Sequence, residues 1–244
     1  RIALPILRAK KAGQPINEYV HAHQSKAGTP TMGGISFVPA FLAVMAGYAV
    51  YHVTLGAQRG EALIPVALVC LYALANSAIG FVDDFVKVKL KRNLGLTALQ
   101  KFLLQLLIGG LYLLGMSLFG GLSTTLAIPY FGLSLDLGFV YYPVALLLIV
   151  GIMNAVNLTD GIDGLASGLS AISLFVAILL CMMSGDIIWA MLAIAYLGVV
   201  LTFFCFNVYG GKNKVFMGDA GSLTLGYTLS FIVLHFWQAH PVWN

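Results

Sequence analysis

The sequence predicts an all-α, polytopic membrane protein with about seven transmembrane helices. Three observations carry this. The 244 residues are 60% hydrophobic and only 9% charged, where a soluble domain carries about 25% charged residues. Apolar runs recur at close to the ~20 residues a helix needs to cross a bilayer. Runs of this length also exclude a membrane barrel, whose strands are ~10-residue segments of alternating polarity. Mean hydropathy is +0.93.

The runs fall at roughly 33–53, 62–82, 102–119, 139–156, 166–184, 187–207 and 220–237. The fourth and sixth contain Pro143 and Gly198, which membrane helices tolerate. There is no internal repeat and no low-complexity segment. No secretory signal precedes the first run. The chain opens at Arg1 and stops at Asn244, so a single membrane domain over 1–244, cut at both ends, is expected. Cys70, Cys181 and Cys205 all lie within apolar runs and read as small buried hydrophobes. His21, His23, His52, His235 and His240 read as solvated or interfacial. Trp189, Trp237 and Trp243 read as interface anchors.

Charge fixes the sides. Polar stretches alternate along the chain at 1–32, 54–61, 83–101, 120–138, 157–165, 185–186, 208–219 and 238–244. The odd members hold Arg1, Arg8, Lys10, Lys11, Lys26, Lys87, Lys89, Lys91, Arg92, Lys101, Lys212 and Lys214, which is 12 of the 13 basic residues. Only Arg59 falls in an even member. By the positive-inside rule the odd set is cytoplasmic. The net charge of +4 is small, and no nucleic-acid partner is expected. The longest opposite loop carries the alternation Leu133-Ser-Leu-Asp136-Leu, which predicts a short surface hairpin.

Five carboxylates gather on the basic side: Asp83, Asp84, Asp160, Asp163 and Asp219. Membranes exclude such groups unless they serve a function, and oxygen ligands suit a hard cation or a phosphate-linked site. Asp83 and Asp84 are read as the end of the second helix, leading into Lys87, Lys89, Lys91 and Arg92. Adjacent carboxylates raise each other's proton affinity unless a cation lies near, and a divalent ion would supply one. The lysines suit a diphosphate or an anionic lipid head group, and equally an ordinary positive flank.

The stretch Asn154-Ala-Val-Asn157-Leu-Thr-Asp160-Gly-Ile-Asp163-Gly164 is denser in polar groups than a turn requires. Asp160 and Asp163 share a face if the stretch is helical. Asp219, after Phe216 and Gly218, stands at the start of the last helix, where free amides attract phosphate. Phe216 suits stacking on a nucleobase. Lys26-Ala-Gly-Thr-Pro-Thr31-Met-Gly-Gly34 precedes the first helix, and its glycines suit a backbone approach to phosphate. A transporter would place its polar site near the midplane on broken helices. Acids at helix ends on one side argue against that class.

Together these stretches closely resemble the polyprenyl-phosphate N-acetylhexosamine-1-phosphate transferase superfamily. The carriers are FVDDFVKVK at 81–89, NAVNLTDGIDGLA at 154–166 and VFMGDAGSLTLG at 215–226. KAGTPTMGG at 26–34 is similar to the phospho-N-acetylmuramoyl-pentapeptide transferase branch, with GQPI at 13–16 and His23 fitting loosely. The resemblance implies transfer of phospho-N-acetylmuramoyl-pentapeptide from its UDP donor to undecaprenyl phosphate. The products would be lipid I and UMP, in peptidoglycan synthesis at the cytoplasmic face of a bacterial inner membrane, with Mg2+. It implies Asp219 as main metal ligand with Asp84 beside it. Asp83 becomes base or orienter of the lipid phosphate. Lys26, Lys87 and Lys101 become phosphate contacts. Thr31, Asn154, Asn157, Asp160, Asp163, Asn207 and Phe216 become substrate contacts.

Two features depart from the pattern. The family has one more helix before the first motif and a His-rich cytoplasmic loop after a further helix, so this segment alone is expected to be inactive. Tyr209-Gly-Gly-Lys-Asn-Lys214 is longer and more basic than the branch pattern. It keeps a UDP-N-acetylglucosamine-1-phosphate transferase as the alternative. The helix faces leave a homodimer open.

Overall fold

The computed structural model describes residues 29–54, 63–90, 94–128 and 133–237. Seven α-helices are present among them: α1 Phe37–Thr54, α2 Leu63–Leu90, α3 Ala98–Phe119, α4 Tyr141–Thr159, α5 Leu165–Ser184, α6 Ile187–Tyr209 and α7 Gly218–Trp237. Between α3 and α4 lies the expected hairpin, β1 Thr125–Ile128 and β2 Leu133–Asp136, paired antiparallel. Short 3-10 turns at Gly33–Ser36, Gly138–Val140 and Gly211–Asn213 complete the order.

Two boundaries differ from the sequence reading, and both bear on the site. Helix α2 does not stop at Asp83–Asp84 but runs on to Leu90. Asp83 and Lys87 are one turn apart, and their side chains meet at 2.6 Å. Such an i,i+4 pair supports continued helix, and Lys87 and Lys89 in the last turn suit its negative end. Helix α3 begins one turn earlier than expected, through a capping box. Gln100 N donates to Thr97 Oγ1, while Thr97 N donates to Gln100 Oε1. That turn brings Lys101 onto the rigid helix.

Five of the described helical stretches are long and apolar enough to cross a membrane: those containing α2, α3, α4, α5 and α6. The last of the seven expected spans is of another kind. α7 packs chiefly between α2 and α4 and is buried along most of its length. Its hydroxyls are silenced by its own backbone: Thr224 Oγ1 donates to Ala220 O at 2.7 Å, Thr228 Oγ1 to Thr224 O at 2.9 Å, and Ser230 Oγ to Tyr227 O at 2.7 Å. Small, self-satisfied polar side chains allow close helix packing in an apolar surround. At Gly80 the two helices approach closely, since a methyl group there would land on the Asp219–Ala220 peptide. This crossing brings the acidic pair of α2 against the first turn of α7.

Around α7, α3 packs on α2 and α4, α5 pairs with α6, and α1 lies against α2 and α6. Tyr112 stands edge-on to Tyr72 and Tyr227, with centroids 5.4 and 5.5 Å away. Outward faces are lined with exposed apolar side chains such as Leu107, Leu147, Ile172 and Ile194, as lipid contact requires. Cys70 and Cys181 are buried as expected, but Cys205 is exposed, on the outer face of α6. His235 is not solvated: its Nε2 lies 3.0 Å from Asp186 Oδ2, and its ring packs on Trp189.

Candidate active site

At one end of the bundle three carboxylates converge. Asp83 and Asp84 come from α2 and Asp219 from the first turn of α7, each offering an oxygen within 4.8 Å of the others. Asp83 and Asp84 are buried, and Asp219 keeps 15% of its side chain exposed. Each is fixed by a separate hydrogen bond. Leu96 N donates to Asp83 Oδ1 at 2.7 Å, Ala220 N to Asp84 Oδ2 at 3.2 Å, and Asn157 Nδ2 to Asp219 Oδ1 at 2.9 Å. Gly218 makes room for this. It adopts φ +73°, and a methyl group there would meet Asp84 Oδ2 and Thr31 Oγ1.

Two ammonium groups complete the cluster. Lys87 Nζ lies 2.6 Å from Asp83 Oδ2, 2.9 Å from Asp219 Oδ2 and 3.9 Å from Asp84 Oδ1. Lys101 Nζ lies 3.1 Å from Asp83 Oδ2 and also contacts Asp219 Oδ2. Three carboxylates against two ammoniums leave one negative charge. The donor set is all oxygen, drawn from two rigid helices, with one oxygen of each acid already anchored. These residues therefore fit a hard divalent cation such as Mg2+.

The second polar region lies beside this cluster. The chain between α4 and α5 is a turn, not a helix, so Asp160 and Asp163 do not share a helical face as the spacing suggested. Asp160 follows the last turn of α4, its N–H donating to Val156 O. Burial pushes its carboxyl well above the ordinary carboxylate range; the charges of Asp219, Asp84 and Asp163 push the same way, and a hydrogen bond from Gly218 N–H opposes them. Asp163 turns elsewhere, its Oδ2 accepting from Lys214 Nζ at 2.7 Å.

Two of the expected substrate contacts also bind the scaffold. Asn207 is buried, and its Oδ1 accepts from Gly164 N at 2.7 Å while its Nδ2 donates to Val215 O at 3.0 Å. It ties the 160–164 turn to the 215–217 strand-like segment. Asn154 points into the bundle, its Nδ2 donating to Gln105 Oε1 at 2.7 Å and to Val150 O at 2.8 Å. Asn154 thus uses both N–H groups of its amide on the protein, and Asn207 one of its two.

The first motif meets the last. Phe216 N donates to Pro30 O, and Gly33 N and Gly34 N donate to Phe216 O and Met217 O, at 2.8 to 2.9 Å. Thr31 is buried beside Gly218, and Phe216 is partly exposed. Lys26 lies outside the described residues. Sequence reasoning missed three participants. Ser222 accepts from Asn157 at 2.8 Å; standing three residues after Asp219, it was findable from the helical period. Gln105, four residues after Lys101 in an apolar run, was findable as an isolated polar group. The Lys214 partnership with Asp163 carried no signal, because basic residues on that side were already accounted for.

Sequence comparison agrees with this geometry. The glycosyl transferase family 4 profile matches residues 65–236, and the phospho-N-acetylmuramoyl-pentapeptide-transferase signature 1 matches residues 26–38. The chain is 40% identical over 234 residues to the phospho-N-acetylmuramoyl-pentapeptide-transferase of Halalkalibacterium halodurans, covering 96% of this chain and 69% of that protein. It is 40% identical to the Geobacillus kaustophilus enzyme of the same name over 95% of this chain and 68% of that one. For the Bacillus subtilis enzyme the figures are 38%, 96% and 69%. On the profile, the signature and the convergent acidic cluster, the chain belongs to glycosyl transferase family 4, among its phospho-N-acetylmuramoyl-pentapeptide transferases.

Proposed function

We propose that this chain transfers phospho-N-acetylmuramoyl-pentapeptide from its UDP donor to undecaprenyl phosphate, with Mg2+, at the cytoplasmic face of a bacterial inner membrane. The observation that carries this is the meeting of Asp83, Asp84 and Asp219 with Lys87 and Lys101 at one end of the bundle. Of the 13 basic residues, 12 lie in the polar stretches on that side, which supports the cytoplasmic placement. A polyprenyl tail lies in the bilayer with its phosphate at the interface, so a site at the helix ends meets both lipid and soluble nucleotide.

In the reaction an oxygen of the lipid phosphate attacks the phosphorus that carries the sugar. The bond between that phosphorus and the bridging oxygen of the diphosphate breaks, and UMP leaves with the electron pair. Bound Mg2+ would neutralise charge on the diphosphate and stabilise the leaving group. Asp219, the most exposed of the three acids, and Asp84 would hold it. Lys87 and Lys101 turn from carboxylates to phosphate oxygens, drawing two anions together. Asp83 was expected to act as base or orienter; with its side chain fully buried and both lysines on Oδ2, we assign it to orienting them. Asn157 holds Asp219, and Asp160 with Phe216 faces the nucleotide end.

The test follows UMP release by the whole enzyme in nanodiscs with undecaprenyl phosphate and Mg2+. Release from UDP-N-acetylmuramoyl-pentapeptide and not from UDP-N-acetylglucosamine is expected. Release from the simple donor alone would move the protein to another glycan pathway. Lys214 is engaged by Asp163, which gives one of the two lysines of the 209–214 stretch a role within the fold.

A further inference from the structure

The opposite end of the molecule carries an apolar surface that the transfer reaction does not use. In the β1–β2 hairpin, Leu126 stands across from Leu135, and Leu133 lies two residues before Leu135 on the same face. The other face carries Thr125, Ser134 and Asp136. Asp136 is held there, its Oδ1 accepting from Thr124 Oγ1 at 2.5 Å and from Gly138 N at 3.0 Å. The hairpin is therefore two-faced, one side apolar and one polar.

The bundle covers its base and part of β1, where Thr125 and Leu126 are half-buried and the strand meets α7. Leu122 and Leu137 pack on the core, and Leu137 N donates to Thr124 O at 3.1 Å. Beyond them every residue of β2 is exposed, with Leu133 at 59% and Leu135 at 53%. A two-stranded hairpin on its own is marginal in water, and an apolar face of this kind needs a surface to lie on. The flanking residues identify that surface. Phe119 closes α3 at 64% exposed, and Phe139 and Val140 lead into α4 at 84% and 57%. They continue the outward apolar faces of two bilayer-crossing helices straight into the hairpin.

We propose that the apolar face of this hairpin is a lipid-binding surface, lying flat on the bilayer at the end opposite the active site. Leu126, Leu133 and Leu135 rest at the boundary of head group and acyl chain, while Thr125, Ser134 and Asp136 face water. The hairpin thereby anchors the ends of α3 and α4, the helices that carry Lys101 and Asn157, at a fixed depth. The inference stands on the register and the exposures and is independent of the donor and of the metal.

The test is a nitroxide scan in phosphatidylethanolamine–phosphatidylglycerol vesicles. The exposed Cys205 is first replaced by serine, and single cysteines are placed at 125, 126, 133, 134, 135 and 136. The expected result is a period of two. Labels at 126, 133 and 135 are accessible to oxygen and shielded from a water-soluble nickel chelate, and those at 125, 134 and 136 show the reverse. High chelate access at 133 and 135 would overturn the proposal, because the face would then stand in water. Low access to both reagents at 133 and 135, lost on diluting protein in lipid, would also overturn it, since a second copy would then be the occupant.

Discussion

The acidic cluster at α2 and α7 and the neighbouring 154–164 and 207–215 region use the same side chains for different ends. In the cluster each carboxylate has one oxygen fixed by an N–H and another turned to a lysine. On the proposed reading those lysine contacts give way to a metal or phosphate. In the neighbouring region Asn154 and Asn207 spend their hydrogen bonds on the protein, and Asp163 is paired with Lys214. A motif carboxylate held by a lysine can trade that partner for a ligand without loosening the backbone. Elsewhere the same residue type fixes the backbone that presents the ligand.

The comparison breaks most visibly at Asp219. Asp219→Asn keeps the shape but removes the charge that faces Lys87, Lys101 and the proposed metal. Loss of several kcal/mol of transition-state stabilisation is expected, a fall of roughly 100- to 1000-fold in UMP release, with a smaller loss of thermal stability from the weakened pairing to Lys87 and Lys101. Asn207→Leu should show the reverse balance. It strands the Gly164 N–H and the Val215 carbonyl, at about 1–3 kcal/mol per buried group, so thermal unfolding in detergent should drop markedly. Turnover should fall less than for Asp219→Asn.

A change of opposite sign is expected at Asp160. A carboxyl whose pKa is raised in the folded state favours folding in acid, and loses that contribution as pH rises through the folded value. Above the ordinary carboxylate range Asp160 therefore opposes folding, either by holding a proton or by bearing a charge its surroundings disfavour. Asp160→Asn should raise the melting temperature at neutral pH and flatten its decline between the ordinary carboxylate range and neutrality. Turnover should nonetheless fall, since sites trade stability for function. The smallest effect belongs to Lys214→Met. Its pair with Asp163 is 25% and 19% exposed, so a stability change below about 1 kcal/mol is expected. A rise in donor KM with kcat preserved would mark Asp163 as a nucleotide contact that Lys214 orients.

Much of this was legible in the chain. The seven helices follow from apolar run length, and the gathering of Asp83, Asp84, Asp160, Asp163 and Asp219 follows from alternating sides. The hairpin followed from two leucines flanking Ser134. What was not legible depends on tertiary contact. The continuation of α2 past Asp84 rests on pairing with Lys87, which run length cannot see. The interior position of α7 rests on Gly80 and on hydroxyls satisfied by their own helix. Asn154 and Asn207 carried the same sequence signal as Asn157, and only the partners opposite them, Gln105, Gly164 and Val215, show which parts of the scaffold they tie.

The most direct test of the central claim is the direct binding of Mn2+, as a spin-active substitute for Mg2+, to the purified enzyme in nanodiscs without substrate. The wild type should bind one ion, with affinity at least about 10- to 100-fold weaker in Asp84→Asn and Asp219→Asn and unchanged in Asn207→Leu protein that remains folded. Equal affinity in the wild type and both aspartate variants would contradict the account.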